Sequence, residues 1–511
     1  MSEEVKDIQT ESTAACQTSS YRSIFKATSL FGGVQVYNIL IGVLRSKIIA
    51  VLLGPLGVGI QGLYHSAIQL VQYCTSMGLS QSAVRDVSEA NGTGDSYRVG
   101  RTVSIIKRLV WITGLLGFAV TILISPLLSK FSFGNYEYII PFVFLAVVLL
   151  LDQLSAGQKV VLQGTRKLRY LATSSAIGVT IGLLFSIPFL WIWGTKGIVP
   201  ALIVQSIGQL CVTSYYSRKV PTQEVHVSQK EAFAGGKVML TMGLAMSFSS
   251  ILASLVAYVT RGFIRYSGGI EEVGYYTAGF AILSQYTGMI FSAMATDYYP
   301  RLAAVNKDNE KCKMLINQQG EIALLIMAPL LVLCILIMPL LIRILYSEDF
   351  LPANDYITWA LWGMVFKAAS WVFSYGFIAK GESKLYVVIE VISNLISLSF
   401  GILGYKFYGL RGMGLAFTLN YITYFFLVYI VANKKYSINL TREFGKVLFL
   451  QASFVLLAFL FINCLKSGVS HLTVAIMLVL SVSVSVKELN KKLQFQALIS
   501  KSKKKFFRKK I

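Results

Sequence analysis

Apolar segments of about 18 to 25 residues recur along almost the whole chain, each long enough to cross a hydrocarbon core of roughly 30 Å. A helix satisfies its own backbone groups in lipid, so the pattern predicts an all-α polytopic membrane protein. Fourteen spans can be placed, at 27–53, 59–82, 103–129, 138–161, 171–193, 197–217, 239–264, 275–299, 320–345, 356–379, 385–404, 411–432, 446–465 and 469–486. No polar stretch between them exceeds about 25 residues. That leaves no room for a soluble catalytic or nucleotide-binding domain, and no G-x-x-x-x-G-K-[ST] phosphate loop occurs. Only 14% of the residues are charged, against about 25% in soluble domains.

The net charge of +23 would point to nucleic acid in a soluble chain. Here its distribution orients the chain instead, and no nucleic-acid partner is expected. Loops after even-numbered spans, with their flanking span ends, hold 22 Lys and Arg, while the opposite face holds 8. The N-terminal segment adds 3 and the tail after Val486 adds 10. The positive-inside rule then puts both termini in the cytoplasm of a multi-pass cell-membrane protein. The basic tail either fixes topology or meets anionic headgroups, worth about 1 kcal/mol per basic residue.

Six cysteines show no C-x-x-C spacing, and three histidines supply no plausible metal site. Residues 1–20 are polar and the first apolar run is too long for a signal h-region, so no cleavable signal peptide is expected. No hydrophobic run precedes Cys16, which argues against a lipoprotein.

An internal repeat runs at an offset of 215 to 217. Val43-Leu44-Arg45 answers Val259-Thr260-Arg261, Gly59 answers Gly274, and Gln69 answers Gln285. Gln163-Gly164-Thr165-Arg166 stands where Lys380-Gly381-Glu382-Ser383 follows span 10, and Lys196-Gly197 matches Arg411-Gly412. Six spans per unit is even, so the halves share one orientation and are expected to flank a central cavity. The resulting organisation is an N-terminal segment 1–26, a six-helix bundle 27–217, a cytoplasmic linker 218–238 and a second bundle 239–432. Two additional helices at 446–486 and a basic cytoplasmic tail 487–511 complete it.

Polar residues in hydrocarbon are costly and mark the faces that avoid lipid. Span 1 carries Gln35, Asn38, Gly42 and Arg45 on one face, and span 7 repeats this with Ser247, Ser250, Ser254 and Arg261. Span 2 carries Gln61, His65, Gln69 and Gln72, and span 8 carries Gln285, Ser292 and Thr296. Cavity lining and plain interhelical hydrogen bonding both explain such stripes; four of them in repeat-equivalent places favour a cavity. Intramembrane charges include Arg45, Lys47, Asp152, Lys159, Lys367 and Glu390. Asp152 and Lys367 stand at nearly equivalent heights, either as an ion pair or as a proton carrier and an anion-binding cation. Asp152, Glu390 and His65 are the coupling-ion candidates. Lys47 and Lys159 can snorkel to an interface.

With these residues laid out, the chain resembles the polysaccharide transporters of the multidrug/oligosaccharidyl-lipid/polysaccharide exporter superfamily. The resemblance rests on Leu44-Arg45, the run Leu52-Leu53-Gly54-Pro55-Leu56-Gly57-Val58-Gly59, Gly78-Leu79-Ser80, and Gln163-Gly164-Thr165-Arg166. It implies two six-helix bundles around a cavity and a flippase that moves undecaprenyl-pyrophosphate-linked oligosaccharide from the inner to the outer leaflet. Ion coupling by H+ or Na+, no other cofactor, contacts with membrane lipids and a working relation to polysaccharide polymerase or ligase machinery are implied alongside. The two extra helices resemble those of lipid II flippases.

A pyrophosphate needs cationic partners, and arginine offers a bidentate fork. Arg45, Arg261 and Lys367 are therefore the expected substrate cations, with Asn38, Gln69 and Gln285 beside them. A multidrug or organic-cation antiporter of the same architecture is the alternative, and would be expected to show an acidic site. A membrane glycan polymerase or ligase would be expected to carry a long outer loop with catalytic residues; the outer loops here are short. No catalytic constellation is visible, so the chain is expected not to be an enzyme.

Overall fold

The computed structural model describes the backbone of residues 2–223, 225–465 and 467–493, and side chains from Gly33 onward within those ranges, apart from Tyr286, Ser467 and Leu493. The basic tail expected over 487–511 lies outside the described residues from 494 onward, as do the side chains of the segment 1–26. No strand occurs among the described residues.

The helices are α1 (Ser2–Ser76), α2 (Leu79–Gly92), α3 (Ser96–Phe133), α4 (Ile139–Gly164), α5 (Leu168–Trp193), α6 (Ile198–Arg218) and α7 (Gln229–Gly268). Then follow α8 (Ile270–Ala304), α9 (Asn309–Leu345), α10 (Ala353–Ala379), α11 (Ser383–Tyr436), α12 (Arg442–Cys464) and α13 (Ser467–Leu493). Among the described residues, nine helical stretches are long and apolar enough to cross a membrane. The protein is a multi-pass membrane protein. The segments expected from sequence map onto these helices to within a residue or so, except 59–82, which runs past the end of α1 into α2; α8 and α10 fall outside the nine apolar stretches.

Three stretches, Gly33–Ser76, Leu168–Arg218 and Ser383–Tyr436, run to 44, 51 and 54 residues. One crossing needs only about 20. Each is therefore broken near its middle, at Gly54 (φ 62°), Gly194 (φ 55°) and Gly409 (φ 58°). That region of φ penalises any residue with a Cβ, which is why glycine stands there. The breaks also carry the repeat. Gly54 and Gly269, Arg166 and Gly381, and Gly194 and Gly409 all have positive φ, and each pair is separated by 215 positions. The sequence repeat is thus a repeat of backbone geometry.

The chain divides into two compact units, Met1–Tyr258 and Val259–Ile511. In the first unit α4 is central, with α3 on one side and α6 on the other. Small residues permit the approach: a Cβ on Gly117 would come within 2.3 Å of Leu149, and one on Gly157 within 2.9 Å of Val110. Gln153 donates to Thr113 at 2.9 Å, and the Ser155 and Thr213 hydroxyls meet at 3.2 Å. Such bonds are worth about 0.6 kcal/mol each in a membrane.

Span 2, expected to continue to 82, stops at Ser76. Gly78 (φ 61°) then turns the chain into α2, which buries Leu79, Ala83, Val87 and Ala90 against α3 and α4. This spacing is one face of an amphipathic helix. Asp95 begins α3 by accepting from the backbone N–H groups of Tyr97 (2.8 Å) and Arg98.

In the second unit α10 packs against α11, α8 and α9. Tyr298 donates to the Val372 carbonyl at 2.8 Å, and Thr418 to that of Trp359 at 2.7 Å. The two additional helices dock on α9. Gln451 of α12 joins Ser481 and Ser485 of α13, each at 3.0 Å. Lys492 pairs with the buried Glu321 of α9, whose other oxygen accepts from Thr441 at the start of α12.

Candidate functional site

The first arm of α1 carries Asn38 and Arg45 two turns apart, hence on one face. Both are half-buried. The Asn38 Oδ1 and the Arg45 Nε are fully buried and have no hydrogen-bond partner among the described residues. No carboxylate of the described residues forms an ion pair with Arg45. Buried polar atoms nearly always find partners, and an unpaired cation in a membrane is costlier still. One face of one helix thus presents an unanswered donor two turns from an unanswered acceptor.

Arg261, the repeat counterpart of Arg45, lies among aromatic rings. Its guanidinium lies 5.7 Å from the Tyr276 ring and 5.9 Å from the Phe280 ring, and Tyr276 packs on Tyr356 at 5.1 Å. The stripe that leads to it is also satisfied locally. Ser247 donates to the Gly243 carbonyl and Ser254 to that of Ile251, both on α7 itself. Serines that bond back to their own helix do not need a polar cavity.

Lys367 of α10 points its ammonium at Tyr421 (5.2 Å) and Phe417 (5.8 Å) of α11. The Tyr421 ring lies 6.3 Å from that of Tyr424, whose hydroxyl donates to Glu390 Oε1 at 2.8 Å. A cation and a carboxylate thus stand at the two ends of a tyrosine pair inside the second unit. Asp152 lies beside the Ser206 hydroxyl and within electrostatic reach of Lys159, two turns along the same helix. Lys159 therefore neighbours a carboxylate, in addition to any reach toward an interface.

Gln69 and Gln285 are half-buried and His65 is exposed. The aromatic partners Tyr276, Phe280, Tyr356, Phe417, Tyr421 and Tyr424 were not among the sequence candidates. Phe417, Tyr421 and Tyr424 do carry a signal, since i, i+4, i+7 spacing puts them on one face of span 12. Nothing local shows that this face meets a lysine 54 positions earlier in the chain.

Long broken helices, a repeated backbone and a few cations at membrane depth define a polytopic helical membrane fold. The chain belongs to the polysaccharide biosynthesis protein family, whose pattern it matches over residues 24–306. It is similar to a lipid III flippase of Escherichia coli K12, 23% identical over 414 residues, covering 79% of this chain and 97% of that protein. A putative O-antigen transporter of Shigella flexneri is 23% identical over 384 residues, covering 72% and 88%. The fold is similar to that of a lipid II flippase in an inward closed conformation, with a TM-score of 0.69 and 15% identity, covering 91% of this chain and 99% of that one. An inward-facing multidrug resistance MATE family transporter of the MOP superfamily gives 0.67 at 14% identity, covering 79% and 94%.

Proposed function

We propose that the protein is a flippase that moves an undecaprenyl-pyrophosphate-linked oligosaccharide from the inner to the outer leaflet of the cytoplasmic membrane. The observation that carries this reading is the buried Arg45 Nε without a partner, on the same α1 face as the unpaired Asn38 Oδ1. An arginine in that state favours an anion, and a pyrophosphate accepts its fork bidentately. The family membership and the relatives named as a lipid III flippase and a putative O-antigen transporter support the same class.

In this reading Arg45 meets the pyrophosphate, and Arg261 and Lys367 serve the same anionic substrate from the second unit. Glu390 is the preferred coupling carboxylate, because Tyr424 holds it at membrane depth. Both termini are cytoplasmic, as the distribution of basic residues implies. The proposed substrate also places the protein upstream of a polymerase or ligase that uses the flipped lipid.

The test is deletion of the protein followed by leaflet-resolved analysis of lipid-linked saccharides. Intact repeat units stranded in the inner leaflet, cleared by the wild-type protein, are the expected result. Unchanged saccharides with an altered tolerance to organic cations would replace the reading with that of a drug antiporter.

A further inference from the structure

In the first unit α3 and α6 both pack on α4, and at one end they leave a groove between them. Its volume is about 550 Å³, within the roughly 300–1,000 Å³ of small-molecule sites. Leu154, Gly157, Gln158 and Val161 of α4 form the floor, and Val220, Pro221 and Thr222 close the end. Gly157 lets Val110 of α3 pack closely on that floor, since a Cβ there would come within 2.9 Å of it.

The walls carry complementary chemistry. Lys107 of α3 and Arg218 of α6 line the groove from opposite sides. Both are exposed, and neither forms an ion pair among the described residues. No acidic residue lines the groove among the described residues, while Ser214, Ser217 and Thr222 add hydroxyl donors. Above the cations the surface becomes apolar and aromatic. Trp111 lines the groove and is 51% exposed, and Leu115, one turn further on, is 49% exposed. Beside it Tyr215 is exposed and holds Lys219 over its ring at 4.2 Å. Tryptophan and tyrosine in this setting mark the level of lipid headgroups, and basic pockets between helices take anionic ones.

We infer that this groove binds an anionic glycerophospholipid, its phosphate between Lys107 and Arg218 and an acyl chain along Trp111 and Leu115. The site lies wholly in the first unit, involves neither Arg45 nor Lys367, and does not depend on the flippase reading.

The full chain, purified in detergent, is titrated with phosphatidylglycerol and with phosphatidylcholine, and retained lipid is counted by native mass spectrometry. Phosphatidylglycerol should be retained preferentially. Lys107→Ala and Arg218→Ala should each weaken it about fivefold, as expected for one basic residue at a headgroup. Both side chains are exposed, so neither change threatens folding. Lys219→Ala removes the same charge next to the groove and should leave retention unchanged. Equal retention of the two lipids overturns the inference, as does a Lys219→Ala loss equal to that of the groove variants. A polyprenyl diphosphate that displaces phosphatidylglycerol in wild type but not in Lys107→Ala would also overturn it, by assigning the groove to the transported substrate.

Discussion

Tyr424 donates its hydroxyl hydrogen to Glu390 at 2.8 Å, joining the two arms of α11 across the break at Gly409. The bond fixes a carboxylate at membrane depth, within two rings of Lys367. Within the second unit, Glu390 is thus an acid on the helix that packs against the one carrying Lys367. Asp152 keeps its own cation neighbour, Lys159.

That arrangement makes Glu390 the carboxylate to remove first. Glu390→Gln keeps an oxygen acceptor for Tyr424 but can no longer exchange a proton. In vesicles with an imposed proton gradient, wild-type transport should respond to the gradient and the variant should not. Tyr424→Phe keeps the ring and loses the donor, and should give an intermediate response. A Glu390→Gln protein that follows the gradient as wild type does would remove Glu390 from coupling.

Arg45 should rank transport in the order wild type, Arg45→Lys, Arg45→Ala, at equal protein level. Lysine retains charge without the bidentate fork, and alanine loses both. The expected loss for alanine is tenfold or more, since charged hydrogen bonds contribute about 1.5–3 kcal/mol. Accumulated lipid-linked saccharide is the measurement. Normal transport by Arg45→Ala at normal abundance would falsify the pyrophosphate site.

Topology can be read by labelling single cysteines in a cysteine-free background, because Cys74, Cys211 and Cys464 are exposed. Asn91→Cys, at the end of α2, should react only from the cytoplasm. Gly268 looks suitable from sequence, but a Cβ there would come within 1.8 Å of the Tyr405 hydroxyl oxygen. Tyr136→Cys in the α3–α4 loop, where the side chain is 56% exposed, should react only from outside. Reversed labelling would invert the proposed orientation.

Glu382 gives a pH-dependent stability with a defined sign. Lys435, at 2.7 Å, and then Tyr436, also at 2.7 Å, hold its carboxyl below the ordinary value of 4.5. A lowered pKa stabilises the fold above the ordinary value, and the gain is lost as pH falls through the lowered one. Glu382→Gln should therefore melt slightly below wild type in detergent at neutral pH. The difference should close below about pH 4.5, and it should be small because the pair is partly exposed. A gap that widens in acid would contradict this assignment.

The α3 start and the α11 partners show where reading from sequence succeeds and where it stops. Asp95 caps α3 through bonds to residues two and three positions on, so local sequence contains the whole interaction. The apolar runs, the glycine breaks and the repeat of 215 positions are local or periodic in the same way. Spacing alone put Asn38 and Arg45 on one face of α1, because helical geometry fixes that relation.

The sequence thus determined a helical membrane protein, built from a repeated unit, with a few cations held at depth. Only the tertiary structure decided what those cations meet. Helix rotation and crossing angle set which side chains touch, and these depend on packing among segments far apart in the chain. So Lys367 lies on Phe417 and Tyr421 and Arg261 near Tyr276 and Phe280, while Arg45 meets no aromatic ring among the described residues, although all three began as the same kind of residue in an apolar run.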